Sequence, residues 1–323
     1  MTESAAFGTV CAVVVTYNIG NAFEAGFNSL KGQVDHVILV NTSTDDGETA
    51  KVNTRLRDAQ PDFVTLIESP ENNLALAQNL GIDAALEKGH DWVLLLDHDS
   101  RLAPGMIAAM ETAYFQNMTR SKIGLLAPAL EDPSDPNRFM LKARQKFWFK
   151  KEQFDARTPV IDNLLCVIAS GSLVPRRVFT PETRMDEGFV IDAVDSDFCL
   201  NIVKRGWRIM AVRDAKMTHS IGERKTHHFF GLTVQTTNHS PIRRYYQFRN
   251  RLLVWRRYFF AHPGYVIYDL MHMVYELWRI QLFEQDRQTK TNHILAGLVD
   301  GFVGKTGAKR GTSLARPANS RLR

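Results

Sequence analysis

A chain of 323 residues with 44% hydrophobic and 23% charged side chains has room for one large domain, or a domain with an appendage, and is not composed like a disordered protein. Its net charge of +5 suits an anionic partner without choosing among a phosphate, a nucleic acid and an anionic membrane. No apolar run is long enough to span a bilayer and no signal-peptide pattern opens the chain, which predicts a soluble or surface-bound cytoplasmic protein.

Val10–Thr16, rich in β-branched residues, predicts a first buried strand ending in Tyr17-Asn18, after which Gly20-Asn21 opens a helix through about Lys31. Cys11 in this strand, like the distant Cys166 and Cys199, lacks metal-ligand spacing and is expected as a buried thiol of a reduced compartment. His36–Val40 predicts a second strand, leading into the polar turn Asn41–Gly47, and Phe63–Ile67 a third, followed by Pro70-Glu71-Asn72-Asn73. Leu76, Leu80 and Ala84 set a helical period from about Leu74 to Lys88. The apolar run Trp92–Leu96 then predicts a fourth strand, buried on both faces, that runs straight into Asp97-His98-Asp99-Ser100.

Strands and helices in this alternation build a doubly wound sheet, whose ligands bind at the carboxyl ends of the strands. Thr16, Asn18, Asn41, Ser43, Asn72, Asn73, Asp97 and Asp99 share that rim, which suits a nucleotide. Neither a Gly-x-Gly-x-x-Gly after the first strand nor a Gly-Lys-Ser/Thr loop is present to cradle a diphosphate. Asp97 and Asp99 have two readings. They hold a hard divalent cation, Mg²⁺ or Mn²⁺, that neutralises the diphosphate, or they cap a helix begun at Pro104.

Ile123–Pro128 predicts another strand, after which the alternation stops. The polar stretch 131–160, with Pro133, Pro136, Pro159 and the patch Lys146–Lys150, reads either as an acceptor-side excursion over the rim or as an ordinary hairpin with solvated lysines. Around Ser170-Gly171-Ser172 the chain is apolar, and the glycine permits close backbone approach. Asp192, Asp195 and Asp197 gather at the start of a helix that Gly206 closes, as first-turn acids or as something more. A strand from Trp207 to Val212 precedes Thr218-His219-Ser220, where His219 is a third metal ligand or a lone surface histidine.

Between Pro241 and His262 arginines alternate with aromatics and no acid occurs; Tyr245, Phe248, Leu252, Trp255 and Phe259 form one helical stripe flanked by Arg249 and Arg256. Pro263-Gly264 breaks the chain before a second amphipathic helix from Tyr265 to Phe283. The stripe packs on the catalytic domain or a twin subunit, or it lies in an anionic membrane with its arginines on lipid phosphates. No DNA- or RNA-binding motif accompanies it, so no nucleic-acid partner is expected.

The order and spacing of Val13-Val14-Val15-Thr16-Tyr17-Asn18, the Asn41–Gly47 turn, Pro70–Gly81, Leu94–Ser100 and Asp192–Gly206 resemble the inverting family 2 glycosyltransferases. Arg244–Leu253 is similar to a segment of their rhamnosyltransferase branch. The resemblance implies an α/β GT-A fold, a doubly wound mixed sheet with a C-terminal helical extension. Its parts would be a catalytic domain over 1–235 (a nucleotide-sugar half over 9–130 and an acceptor-side half over 131–235), amphipathic helices over 236–304 and a basic, disordered tail over 305–323. Thr16, Tyr17 and Asn18 would line the base and ribose pocket with Asn41, and Asn72 or Asn73, Gln78 and His98 would lie near the nucleoside or sugar. Asp97 would lie against the ribose or the metal, and Asp99 and His219 would bind Mg²⁺ or Mn²⁺. Asp195 would be the catalytic base, with Gly171, Ser172, Asp192 and Asp197 on the acceptor side.

The sequence departs from that family at Asn41-Thr42, in place of an Asp-Asn or Asp-Asp pair, at His98 in place of Gln, at Asn201 in place of Arg, and in an asparagine run one residue short. The implied activity moves L-rhamnose from dTDP-L-rhamnose onto a saccharide acceptor, lipid-linked at the inner face of the plasma membrane, in O-antigen, capsule or cell-wall synthesis. Another donor such as a UDP-hexose is the alternative within the fold, and a C-terminal homo-oligomer is compatible with either. A non-catalytic membrane-associated binding module is the alternative of a different class, against which Asp97, Asp99 and Asp195 together argue.

Overall fold

A computed structural model describes residues 7–20, 23–43, 47–117, 120–131, 141–145, 148–219, 225–229 and 231–309. Strand β1 (Val10–Thr16) is buried along its whole length, as its β-branched run requires. The helix α1 is shorter than expected, Phe23–Asn28, because the chain beyond it tightens into Leu30 N–H to Phe27 O and Lys31 N–H to Asn28 O bonds, one residue short of the α-helical reach. β2 (His36–Asn41) is followed by α2 (Glu48–Ala59), which the sequence reading does not anticipate. Its inward face carries only Val52 and Leu56 as apolar residues, with the polar Thr49 and Asn53 buried beside them. After β3 (Val64–Glu68), α3 (Leu74–Glu87) lies against β1, where a side chain at Gly81 would collide with Val13.

β4 (Trp92–Asp97) leads into the short β5 (Ser100–Leu102), and α4 (Met106–Gln116) begins only after Gly105 in the left-handed region. β6 (Ile123–Glu131) runs three residues beyond the expected Pro128. Then come the hairpin β7 (Leu141–Arg144) and β8 (Phe149–Glu152), β9 (Val160–Ile161), β10 (Ser172–Pro175), α5 (Val194–Lys204) and β11 (Arg208–His219). Residues 132–140 and 146–147 of the expected excursion lie outside the described residues. The main sheet is ordered β3-β2-β1-β4-β10-β6-β11-β5, with β9 beside β11. β1 to β4 are parallel, as are β6 and β11, and β10 enters antiparallel between β4 and β6. The sheet is therefore mixed, and the winding reverses at the β1–β4 pair, where a crevice opens at the strand ends. All three cysteines are free thiols, and burial pushes the Cys11 thiol up to about 12.

The described residues within Met1–Asp186 and Val194–Ser220 form one compact unit; those within Glu187–Ala193 and Ile221–Arg323 form a second. The second unit contains the hairpin β12 (Lys225–Phe229) and β13 (Leu232–Thr236), and the helices α6 (Pro241–Tyr258), α7 (Pro263–Phe283) and α8 (Arg287–Val303). The third helix is not anticipated by the sequence reading, which places only a helix pair before the tail. Residues 310–323 of that tail lie outside the described residues.

The reading of the α6 arginines as lipid-facing is corrected for Arg244 and Arg249, both fully buried. Arg244 pairs with Glu276 and Glu284, Arg251 reaches Glu276 at 2.7 Å, and Lys290 reaches Glu284 at 2.9 Å. Arg249 and Asn250 donate to the carbonyls of the 188–192 turn. The acids that answer these cations sit on α7 and just past it, too far along the chain for a local pattern to show.

Burial pushes the Glu276 carboxyl up, but Arg251 and Arg244 outweigh it and hold it down at about 2, against an ordinary 4.5. A carboxyl depressed in the folded state contributes stability that is present above pH 4.5 and lost as pH falls toward 2. Glu276→Gln is expected to cost about 3 kcal/mol at neutral pH and to flatten the acid limb of the stability profile, read from urea unfolding midpoints between pH 5 and 3.

Candidate active site

The site is built by one strand register. β5 pairs antiparallel with β11 so that His219 stands opposite Ser100, the residue after the Asp97-His98-Asp99 turn. Ser100 Oγ lies 2.9 Å from His219 Nδ1 and 2.6 Å from Ser170 Oγ, and Ser170 Oγ accepts the Asp97 backbone N–H at 3.1 Å. The other ring nitrogen, Nε2, lies 4.0 Å from Asp97 Oδ2. Asp99 Oδ1 lies 3.4 Å from His219 Nδ1, and one ligand atom from each of the three side chains falls within 4.8 Å of the others.

The capping alternative for Asp97 and Asp99 does not hold, because β5 intervenes and α4 starts from Gly105 without a side-chain cap. Asp99 Oδ1 is buried and has no hydrogen-bond partner among the described residues. An orphaned carboxylate oxygen beside a second carboxylate and an imidazole fits a divalent cation of the Mg²⁺ or Mn²⁺ kind.

Along the rim the predicted residues divide. Thr16 is fully buried, its hydroxyl accepting from Asn53 Nδ2 at 2.7 Å and its carbonyl from the Thr42 N–H at 2.9 Å, so it is committed within the fold. Tyr17 is half-buried beside Asn18, whose backbone N–H donates to Ser43 Oγ at 2.9 Å. Asn18 takes a left-handed φ of 45°, and its Oδ1 is buried without a partner among the described residues; Gln78 Oε1 is in the same state. The Asn41 side chain is occupied within the protein, donating to Glu68 Oε2 at 2.8 Å and accepting from Ser43 N–H at 3.1 Å. Asn73 caps α3 by accepting the Leu76 N–H at 3.2 Å. Of the asparagine pair, Asn72, half-buried ahead of the cap, is the one open to a ligand. His98 is half-buried between the two aspartates, and residues 44–46 of the preceding turn lie outside the described residues.

Asp195 is the second residue of α5, where the helix dipole favours a carboxylate, and its Oδ1 accepts the Ser196 N–H at 2.7 Å. It lines a cavity of about 230 Å³ together with Ser196, Cys166, Lys142, Phe154 and Ser170. Ser170 thus touches both this cavity and the Asp97–His219 group. Gly171 has φ 85°, and a side chain there would meet Pro128 of β6 at 2.5 Å and Met217 of β11 at 2.9 Å, so glycine lets the chain enter β10 close beside β6. Ser172 is buried and bonded to Ile168 O at 2.8 Å, and Asp197 is buried within α5. In the second unit, Asp192 takes φ 60° and its carboxylate is gripped by Arg243 Nε at 3.0 Å. Ser100, Ser170, Ser196, Cys166 and Lys142 escape the sequence reading as site residues. Ser100 and Ser170 fall inside quoted motifs, but only the register shows what they touch.

This constellation on a mixed α/β sheet defines the protein as a GT-A glycosyltransferase. Residues 11–179 match the sequence model described as Glycosyl transferase family 2, and the chain belongs to that family, with a rhamnosyltransferase-like sequence. It is 31% identical over 312 residues to a dTDP-rhamnosyl transferase, RfbF, of Shigella flexneri, spanning 93% of this chain and 98% of that protein. The mannosyltransferase PcManGT of Pyrobaculum calidifontis, solved with GDP-Man and Mn²⁺, shares the fold with a TM-score of 0.57 and 18% identity, over 92% of this chain and 76% of that one. GalNAc-T7, solved with UDP, GalNAc and Mn²⁺, gives a TM-score of 0.53 at 13% identity; 66% of this chain is covered, and it spans only 43% of that longer chain.

Asp99→Asn is expected to abolish Mn²⁺ binding measured by calorimetry. Ser170→Ala, which keeps all three ligands but loosens Asp97 and Ser100, should weaken it about 10- to 100-fold.

Proposed function

We propose that the enzyme transfers L-rhamnose from dTDP-L-rhamnose, with inversion, to a saccharide acceptor of a surface polysaccharide such as an O-antigen, capsule or cell-wall glycan. The observation that carries this reading is Ser170, which joins the Asp97–Asp99–His219 group to the wall of the cavity that Asp195 lines. A donor diphosphate at the first and an acceptor hydroxyl at the second would meet within one site. The similarity to a dTDP-rhamnosyl transferase over nearly all of both chains supports the choice of donor.

Asp97, Asp99 and His219 would hold Mg²⁺ or Mn²⁺, which when bound supplies positive charge against the departing nucleoside diphosphate. Asp195 takes the proton of the acceptor hydroxyl as its oxygen bonds to the anomeric carbon. The bond to the diphosphate breaks, with its electron pair, on the opposite face of the sugar. The Ser196 N–H holds one Asp195 oxygen, and the dipole at the start of α5 favours negative charge there. Leu130, Leu141 and Phe154 give the cavity an apolar side that keeps water from competing with the acceptor. At about 230 Å³ the cavity is smaller than the roughly 300–1,000 Å³ of drug-sized ligand sites, which suits a single sugar ring. Asn18, Asn72 and Gln78 would contact the nucleoside and sugar; the orphaned Asn18 Oδ1 and Gln78 Oε1 support that role.

With Mn²⁺ present, dTDP-L-rhamnose is expected to raise the melting temperature and to be turned over, and UDP-hexoses to do neither. Turnover of a UDP-hexose alone would replace the donor. Asp195→Asn should leave donor affinity nearly unchanged and lower transfer by about 10²- to 10⁴-fold, and unaltered turnover would remove Asp195 as the base.

A further inference from the structure

The ends of α6 and α8 meet at one corner of the second unit. There Arg256 Nη1 donates to Phe302 O at 3.0 Å, and the same guanidinium packs against Gly304. Around this corner large apolar side chains stand in the open: Phe260 is 94% exposed, Phe302 80% and Val303 67%. α7 departs from the same corner, since Pro263 follows the end of α6 directly, and carries the pattern outward. Ile267, Met271, Val274, Trp278 and Leu282 are exposed at spacings of three and four, one face of the helix. Large apolar side chains left uncovered in this number mark a site of interaction.

Charge says what covers it. Arg256, Arg257 and Lys305 are exposed at the corner. Two acids of these helices, Asp269 and Glu276, face Arg251; the third, Asp300, takes Lys305 at 3.2 Å and the Tyr245 hydroxyl, so the cations of the corner outnumber its one acid. Beyond Lys309 the sequence adds Arg310, Arg316, Arg321 and Arg323 and no acid. A second copy seated on this face would set the same cationic excess against itself, whereas anionic headgroups answer it directly. No described helix is long and apolar enough to cross a membrane, so α7, about 31 Å long, would lie along a surface.

We propose that the outer face of α7, with the Phe260–Phe302 corner, docks on an anionic phospholipid surface. The aromatic side chains enter the headgroup boundary and Arg256, Arg257 and Lys305 bind lipid phosphates. The proposal goes beyond the transfer reaction and does not depend on the identity of the donor.

Flotation of the full chain without substrates tests it. Vesicles of phosphatidylglycerol and phosphatidylcholine should carry the protein, pure phosphatidylcholine should not, and added salt should release it. The double variant Phe260→Ser/Phe302→Ser should bind the anionic vesicles at least about tenfold more weakly while keeping the wild-type melting temperature. Failure of the wild type to float, or flotation indifferent to the double variant, would overturn the proposal. So would a dimer seen by light scattering that the same double variant dissociates, since a second copy would then be the occupant.

Discussion

Two serine hydroxyls, Ser100 and Ser170, stand 2.6 Å apart beneath the Asp97-His98-Asp99 turn, and the site is assembled on that contact. One hydroxyl reaches His219 and the other receives the Asp97 backbone, so residues 73 and 119 positions apart in the chain are locked to one another before any ligand arrives. The contact exists because β10 enters antiparallel beside β4 while β5 folds back on β11. A slip of one residue in the second pairing would turn His219 to the other face of the strand. The bulge in β11 between Val212 and Lys216 is part of the same constraint. It shifts the end of the strand relative to β6 and allows one strand to serve the sheet interior and the rim in turn.

Much of this was legible in the sequence. β1, β2, β4 and α3 follow from apolar runs and a helical period, and the rim follows from the polar residue that ends each strand. Asp97, Asp99 and His219 could be named as a ligand set by residue type. What the sequence withholds is pairing. β10 looks like any short apolar stretch, and nothing local says that it runs antiparallel or that Ser170 will face Ser100. Polar residues that serve the fold also resemble those that would serve a ligand: Asn41 and Asn73 fit a nucleotide rim by type, yet one is tied to Glu68 and the other caps α3. α2 escapes the sequence for a related reason, since Val52 and Leu56 are its only apolar contacts with the core and the residues it buries fully are Thr49 and Asn53.

The turn 187–193 shows a different kind of dependence. Val190, Asp192 and Ala193 all take positive φ, which is costly for side-chain-bearing residues and worst for a β-branched one. Such a backbone persists only if its surroundings hold it, and α6 supplies the hold. Asn250 Nδ2 contacts the carbonyls of Phe189, Ile191 and Asp192, Arg249 those of Gly188 and Phe189, and Arg243 the Asp192 carboxylate. The Arg-Asn pair inside the Arg244–Leu253 segment is therefore explained by backbone satisfaction.

The distribution of cations carries the same lesson to the whole molecule. A net charge of +5 suggests an anionic partner, but charge counted along a sequence and charge offered to a partner are different quantities. Arg244, Arg249 and Lys290 are removed from solvent and spent on internal acids or carbonyls, where pairing answers the cost of burial. Arg256, Arg257 and Lys305 remain outside, beside uncovered aromatic side chains. At the catalytic rim the bias is reversed: two aspartates converge there without a glycine loop or a lysine of the P-loop kind. Such a rim would repel a bare diphosphate, and a divalent cation held by these side chains would offset that repulsion.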